Sequence, residues 1–130
     1  MPTQPYRPGT PGKFTLHLWI EKSGPCPFFE FLEAVGRKNE KTAARVVSDL
    51  DFTLEEGPPR NEQKSRQLDG PIYELKPTDT VRVLYFYGAE RRSIIITHGF
   101  EKKQRSTPRK EIKRAQRIYR DYQNEMKGRV

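Results

Sequence analysis

The sequence predicts an α+β fold. One compact domain runs in the order β-α-α-β-β-β-α, with a mostly antiparallel sheet and helices packed on one side. Two observations support this. Apolar residues alternate with polar ones at residues 14–21 and fill three short runs between residues 72 and 98, whereas over residues 27–57 and again after residue 107 they recur at helical spacing. Turn-forming residues sit between these runs: Ser23-Gly24-Pro25, Gly57-Pro58-Pro59, Pro77 with Asp79, and Gly88.

Residues 1–12 contain Pro2, Pro5, Pro8, Pro11, Gly9 and Gly12 without apolar periodicity. They read as a flexible leader, which leaves residues 13–130 as a single domain. Phe14, Leu16, Leu18 and Ile20 alternate with Thr15, His17, Trp19 and Glu21, the period of a first strand. Pro27 suits the first turn of a helix, where its missing N–H costs nothing, and Phe28, Phe31, Leu32 and Val35 follow before Gly36 closes it. A second helix spans about Glu40 to Glu55, with Ala43, Val47, Leu50 and Leu54 as one apolar stripe. Residues 60–67 form a polar loop carrying Arg60, Lys64 and Arg66.

Ile72–Lys76, Val81–Tyr87 and Ser93–His98 are strands whose short connections favour an antiparallel meander. Thr107 reads as the N-cap and Pro108 as the first residue of a last helix, with Glu111 suited to its positive end. Ile112, Ala115, Tyr119, Tyr122 and Met126 give that helix an apolar side; Lys113, Arg114, Arg117 and Arg120 crowd the rest.

The charge is unevenly distributed. Of the net +8, residues 101–130 hold 11 Lys/Arg against 4 Asp/Glu, whereas the first 100 residues hold 14 against 13. A near-neutral body with a basic end points to a polyanionic partner, nucleic acid above all; solvated helix charge is the plainer alternative. The single Cys26 rules out an internal disulfide framework, and His17 and His98 lie too far apart for zinc-ligand spacing. No apolar run approaches a membrane span, and no hydrophobic signal region opens the chain, so a cytoplasmic protein without metal, cofactor or membrane partner is expected. Gly9-Thr10-Pro11-Gly12-Lys13 has neither the spacing nor the setting of a phosphate loop.

The chemistry concentrates where cations meet strands. Arg82 shares a face with Leu84 and Phe86, so its charge must be paired, solvated or used. Its fork suits a phosphate, and a salt bridge to Glu74 on the neighbouring strand is the equal alternative. Lys76 ends one strand, and Lys102 and Lys103 leave another through His98-Gly99-Phe100, where Gly99 permits a sharp turn. Taken alone, Lys102-Lys103 is better read as an ordinary solvated lysine run. His98 is a proton carrier or a satisfied half-buried histidine. Tyr73, Tyr85 and Tyr87 stack bases or pack the sheet. Glu30, Glu33, Asp49 and Asp51 read as surface acids without a convergent partner, and Cys26 as a packing residue.

Taken in order, these residues resemble a known family. Gln67-Leu68-Asp69-Gly70-Pro71-Ile72-Tyr73-Glu74-Leu75-Lys76 followed by Val81-Arg82-Val83-Leu84-Tyr85-Phe86 resembles the RelE/ParE toxin superfamily. His98-Gly99-Phe100-Glu101-Lys102-Lys103, Ser106-Thr107-Pro108, the helix with Ala115 and Tyr122, and Cys26-Pro27 before Phe31-Leu32 resemble its phage-derived HigB-like branch. The likeness covers roughly residues 14–124. It implies a RelE-like fold and the toxin of a type II toxin–antitoxin pair. Relatives include ribosome-dependent endoribonucleases that cut mRNA without a metal, so the resemblance implies an enzyme of that kind, neutralised by an antitoxin expected to be a helix-turn-helix protein.

By the same resemblance, Arg82 would stabilise the phosphate with Lys76 and Lys102 or Lys103 beside it. One lysine or His98 would carry protons, and Tyr73, Lys64, Arg66 and Arg105 would contact RNA. Two positions depart from the pattern: Lys76 stands where relatives often carry Arg, and Val81 where an aromatic is common. A non-catalytic RNA-binding or interaction module, a decayed prophage toxin and a gyrase poison are the rival readings on the same fold.

Overall fold

The computed structural model describes residues 2–128. Along the chain come β1 (Thr3–Pro5), β2 (Thr15–Trp19), α1 (Pro27–Lys38), α2 (Glu40–Glu56), β3 (Ser65–Asp69), β4 (Ile72–Leu75), β5 (Val81–Tyr87), β6 (Ser93–Glu101) and α3 (Arg109–Lys127). The six strands form one mixed sheet in the spatial order β1-β2-β6-β5-β4-β3. The expected α+β class and element order hold, with two strands added. The meander β3–β4–β5–β6 is antiparallel throughout. β2 runs parallel to β6, since α1 and α2 are inserted between β2 and the rest of the sheet.

Both added strands are edge strands, where polar sequence and proline are tolerated. In the stretch expected as a flexible leader, Thr3–Pro5 pairs with β2. The Tyr6 hydroxyl then donates to Asp51 on α2 at 2.8 Å, and Arg7 pairs with the same carboxylate at 2.6 Å. Likewise, the second half of the expected polar loop is β3, with Arg66 opposite Glu74.

The expectation of helices on one side is corrected. Leu16, Leu18, Leu75, Val81, Val83, Tyr85, Ile94 and Ile96 pack on Phe28 of α1 and on Val46, Leu50 and Leu54 of α2. Trp19, Ile72, Leu84, Phe86, Ile95 and Phe100 project from the opposite face onto Ala115, Ile118 and Tyr122 of α3. The physical reason lies in β5, which is buried at every position from Val81 to Phe86: a strand apolar on both faces needs a cover on each. Burial of Ile118 alone contributes roughly 2 kcal/mol.

Local signals act mostly as expected. Pro27 opens α1, and the Asn39 side chain caps α2 by accepting from the backbone N–H groups of Lys41 and Thr42 at 3.0 and 3.2 Å. Gly57, at φ +88°, ends α2 where a Cβ would strike the Phe14 ring. The buried stripe of α2 is Val46, Leu50, Thr53 and Leu54: the expected Leu50 and Leu54 hold, while Val46 and Thr53 are buried where Ala43 and Val47 stay half-buried. Two further expectations are corrected. Thr107 does not cap α3, because its hydroxyl is bonded elsewhere and Pro108 occupies the cap. Gly99 makes no turn: it lies within β6 opposite Val83, and its missing side chain admits the Phe31 ring of α1.

Candidate functional site

The candidate site lies where β4 and β6 end and β5 and α3 begin. Arg82 stands opposite Phe100 and is 6% exposed. Its Nη1 donates to the carbonyls of Thr78 (2.8 Å), Asp79 (3.3 Å) and Val81 (2.9 Å), which folds the guanidinium back over the β4–β5 turn. Nε has no hydrogen-bond partner and lies 3.8 Å from Glu74 Oε1. Nη2 is engaged by no protein acceptor among the described residues.

Glu74, 0% exposed, receives Arg66 Nε on Oε1 at 2.9 Å and the Thr107 hydroxyl on Oε2 at 2.6 Å. Of the two alternatives left open for Arg82, the ion pair with Glu74 is the one present, at 3.8 Å. Arg66 holds the closer contact.

Lys76 and Lys102 complete the cationic group. Lys76 Nζ donates to the Glu62 carbonyl at 2.9 Å. Lys102 is fixed by its backbone N–H, which donates to the Thr80 carbonyl at 2.5 Å. Both amines are pushed below the ordinary lysine value, by burial first. Arg66 then bears most on Lys76 and Arg82 most on Lys102, while Glu74 pulls both back up. Arg66 and Arg82 lie within ion-pair distance of the buried Glu74 carboxylate, Lys76 follows Glu74 by two residues, and Lys102 leaves β6 just past the Arg82–Phe100 pair.

A cleft of about 280 Å³ opens on this group, walled by Arg45, Lys64, Lys76, Arg82, Thr78 and Asp79 among others. Arg45 was not anticipated. It sits on the exposed side of α2, and only the tertiary placement of α2 against the loop before β3 brings it here. One turn on, Asp49 is half-buried; burial pushes its carboxyl up, against the pull of Lys64 and Arg45, and its Oδ2 has no partner.

The other sequence candidates lie apart. Lys103 and Arg105 are exposed beyond the end of β6 and do not wall the cleft. His98 is 1% exposed, with Nδ1 3.0 Å from the Thr97 hydroxyl and Nε2 3.1 Å from Glu111 on α3. Burial lowers its pKa, against the pull of Glu111. Tyr73 stacks on Tyr85 at 5.5 Å and meets Tyr87 edge-on at 5.2 Å. Tyr85 is buried and bonded to Ser65, so of the three rings Tyr87 is the most open to a base.

On α3, Arg117 is held by Glu21 and Asp121, and Arg109 by Asp69, whereas Lys110, Lys113, Arg114 and Arg120 make no ion pair among the described residues. No group of three His, Cys, Asp or Glu side chains among the described residues is arranged to hold a metal, and no described helix is long and apolar enough to cross a membrane.

The family model described as phage derived protein Gp49-like (DUF891) matches residues 33–120, from the middle of α1 into α3. The chain belongs to this family. The Gp49-like family is part of the RelE/ParE-like toxin superfamily, so the coarser half of the sequence resemblance holds. No curated protein matches the chain. The cleft cations Arg45, Lys64, Lys76 and Arg82 all fall within the matched segment, as does Lys102, which does not itself wall the cleft, whereas β1 and β2 lie outside it.

Proposed function

We propose that this Gp49-like protein is the toxin of a type II toxin–antitoxin pair: a ribosome-dependent, metal-free mRNA endoribonuclease of the HigB-like branch, restrained by a helix-turn-helix antitoxin. The observation that carries the reading is the cleft whose wall sets Arg82, with Nη2 unengaged, beside Lys76, Lys64 and Arg45. Four cations around a space of that size suit a phosphodiester better than a neutral ligand.

In the proposed reaction the ribose 2′-oxygen attacks the adjacent phosphorus. The P–O2′ bond forms and the P–O5′ bond breaks, leaving a 2′,3′-cyclic phosphate and a 5′-hydroxyl. Arg82 and Lys76 stabilise the extra negative charge that develops on the phosphorane. Lys102, whose amine is lowered by burial and by Arg82, takes the 2′-hydroxyl proton, and a neighbouring ammonium delivers one to O5′. Lys103 lends charge near the chain's path. Tyr73, Lys64, Arg66 and Arg105 are RNA contacts, and the unpaired α3 cations face rRNA or the antitoxin. His98, with both ring nitrogens already bonded, is given no step.

A second reading, an RNA-binding module without catalysis, draws on the three carbonyl bonds that already occupy Arg82 Nη1. Induced expression of the wild type, Arg82→Ala and the pair Lys102→Ala/Lys103→Ala, with growth curves and 5′-end mapping of transcripts, separates the two. Codon-phased cuts that vanish in the variants are the expected result. RNA binding without cuts favours the second reading, and a wild type that neither arrests growth nor cleaves ends the first.

A further inference from the structure

We infer that Glu74 is a positioning residue of this site: its buried carboxylate fixes the guanidiniums of Arg66 and Arg82 as one rigid pair that takes a phosphate of bound RNA. The inference rests on the RNA-cleaving reading and concerns a residue that touches neither substrate nor solvent. Glu74 projects from β4 onto the α3 face, where Ile72, Leu84 and Phe100 make an apolar surround. A carboxylate sealed there is tolerated only if every lone pair is answered. The answers come from all sides: Arg66 from β3, Arg82 from β5, Thr107 from the entry to α3, and the fields of Lys76 at the end of β4 and Lys102 after β6.

The geometry goes beyond charge balance. Arg66 meets Glu74 through Nε, which leaves its terminal nitrogens without a protein partner among the described residues, while 41% of its side chain is exposed. Arg82 lies with Nε 3.8 Å from the same oxygen, too far for a hydrogen bond, and is held through Nη1 by the Thr78, Asp79 and Val81 carbonyls with Nη2 unengaged. One carboxylate oxygen thus hydrogen-bonds Arg66 and pairs at longer range with Arg82, and both arginines keep donors for a ligand. Without that carboxylate, Arg66, Arg82, Lys76 and Lys102 would repel one another, and the two arginines would lose a common orientation.

The test is Glu74→Gln, read in two ways: the arginine Nε–H signals in NMR spectra of the free protein, and affinity for a short oligouridylate. Removing a negative charge from beside four cations would, on Coulomb grounds alone, tighten RNA binding. Loss of positioning instead predicts that the Arg66 and Arg82 Nε–H signals shift and exchange faster, and that affinity falls about tenfold. Unchanged signals, or affinity equal to or above wild type, overturn the inference.

Should Glu74→Gln fail to fold, Glu74→Asp keeps the charge but falls short of Arg82 by one methylene. Its expected result is loss of the Arg82 signal with weaker binding, and no change in either overturns the inference. Thr107→Val leaves Oε2 unanswered without touching the arginines; it is expected to lower stability, but in the folded protein both readouts stay at wild-type values, and a loss matching that of Glu74→Gln overturns the inference. Because the Nε–H signals need no RNA, a wild type that binds no oligouridylate while these signals collapse in Glu74→Gln would refute the RNA reading and leave the arginine pairing intact.

Discussion

Two polar clusters are buried on the same face of the sheet, and both tie a strand to the start of α3. In one, Glu74 gathers Arg66, Arg82 and Thr107. In the other, His98 lies between Thr97 and Glu111. The difference is in what each leaves over. The histidine cluster is closed, since both ring nitrogens have partners and the ring is sealed from solvent. The Glu74 cluster is open: it holds more donors than its acceptors can use and borders a cleft. A fastener needs only to satisfy its own groups; an excess of oriented cations is stable only where an anion or water meets them. This contrast supports the ligand site proposed at the arginine cluster and a structural role for the histidine cluster.

The largest expected effect breaks the open cluster. Arg82→Ala removes the donor to three turn carbonyls and one of the cations facing Glu74. Stability is expected to fall by about 3 kcal/mol in denaturant titrations, and any RNA cleavage by at least about 100-fold. Arg82→Lys keeps the charge but not the fork and should recover little of either. A wild-type cleavage rate in a folded Arg82→Ala protein would put the chemistry elsewhere.

The closed cluster predicts a smaller effect with a pH signature. His98 has its folded pKa below the ordinary 6.5, so the unfolded chain binds the proton more readily. Its contribution to stability is complete above that value and is lost as pH falls toward the lower folded pKa. Glu111, held below the ordinary 4.5 chiefly by its hydrogen bond to His98, extends the loss further into acid. Denaturation midpoints followed from about pH 8 to about pH 5 should therefore decline, and His98→Gln should remove the upper part of that decline at a cost of about 1–2 kcal/mol. Cleavage by folded His98→Gln should persist; its abolition would turn the closed cluster into part of the site.

The contrast also marks what the sequence could show. Periodicity revealed β2, β4, β5, β6 and all three helices, because each buries a face whose spacing is local. It could not show that β5 is covered on both faces, because a run buried throughout looks the same whether one layer or two lie over it. Arg82 was legible as a cation within a strand and Lys76 and Lys102 as cations just past strand ends, and strand pairing brings those ends together. The role of Glu74 was visible only as a possible partner of Arg82. That Arg66 takes the closer contact depends on β3, a strand whose polar sequence reads as loop. Thr107 looked like a helix cap because the cap pattern is local, and its actual partner lies 33 residues away. His98 was ambiguous in sequence for the same reason that Arg82 was: a polar residue in an apolar run signals a requirement without naming it.

The smallest predicted effect tests the outer wall of the open cluster. Arg45 reaches the cleft from the exposed side of α2 and forms no ion pair among the described residues. Arg45→Ala should leave the denaturation midpoint unchanged, weaken RNA binding about threefold, and lower the slope of log affinity against log salt by about one. Arg45 and Lys64 together hold the Asp49 carboxyl down against burial, so the same substitution should let that carboxyl rise further, which carboxyl-resolved NMR titration can follow. If Arg45→Ala cost as much binding as Arg82→Ala, the anchor would be the exposed wall rather than the guanidinium pair behind it. The distinction between open and closed clusters would then depend on surface charge alone.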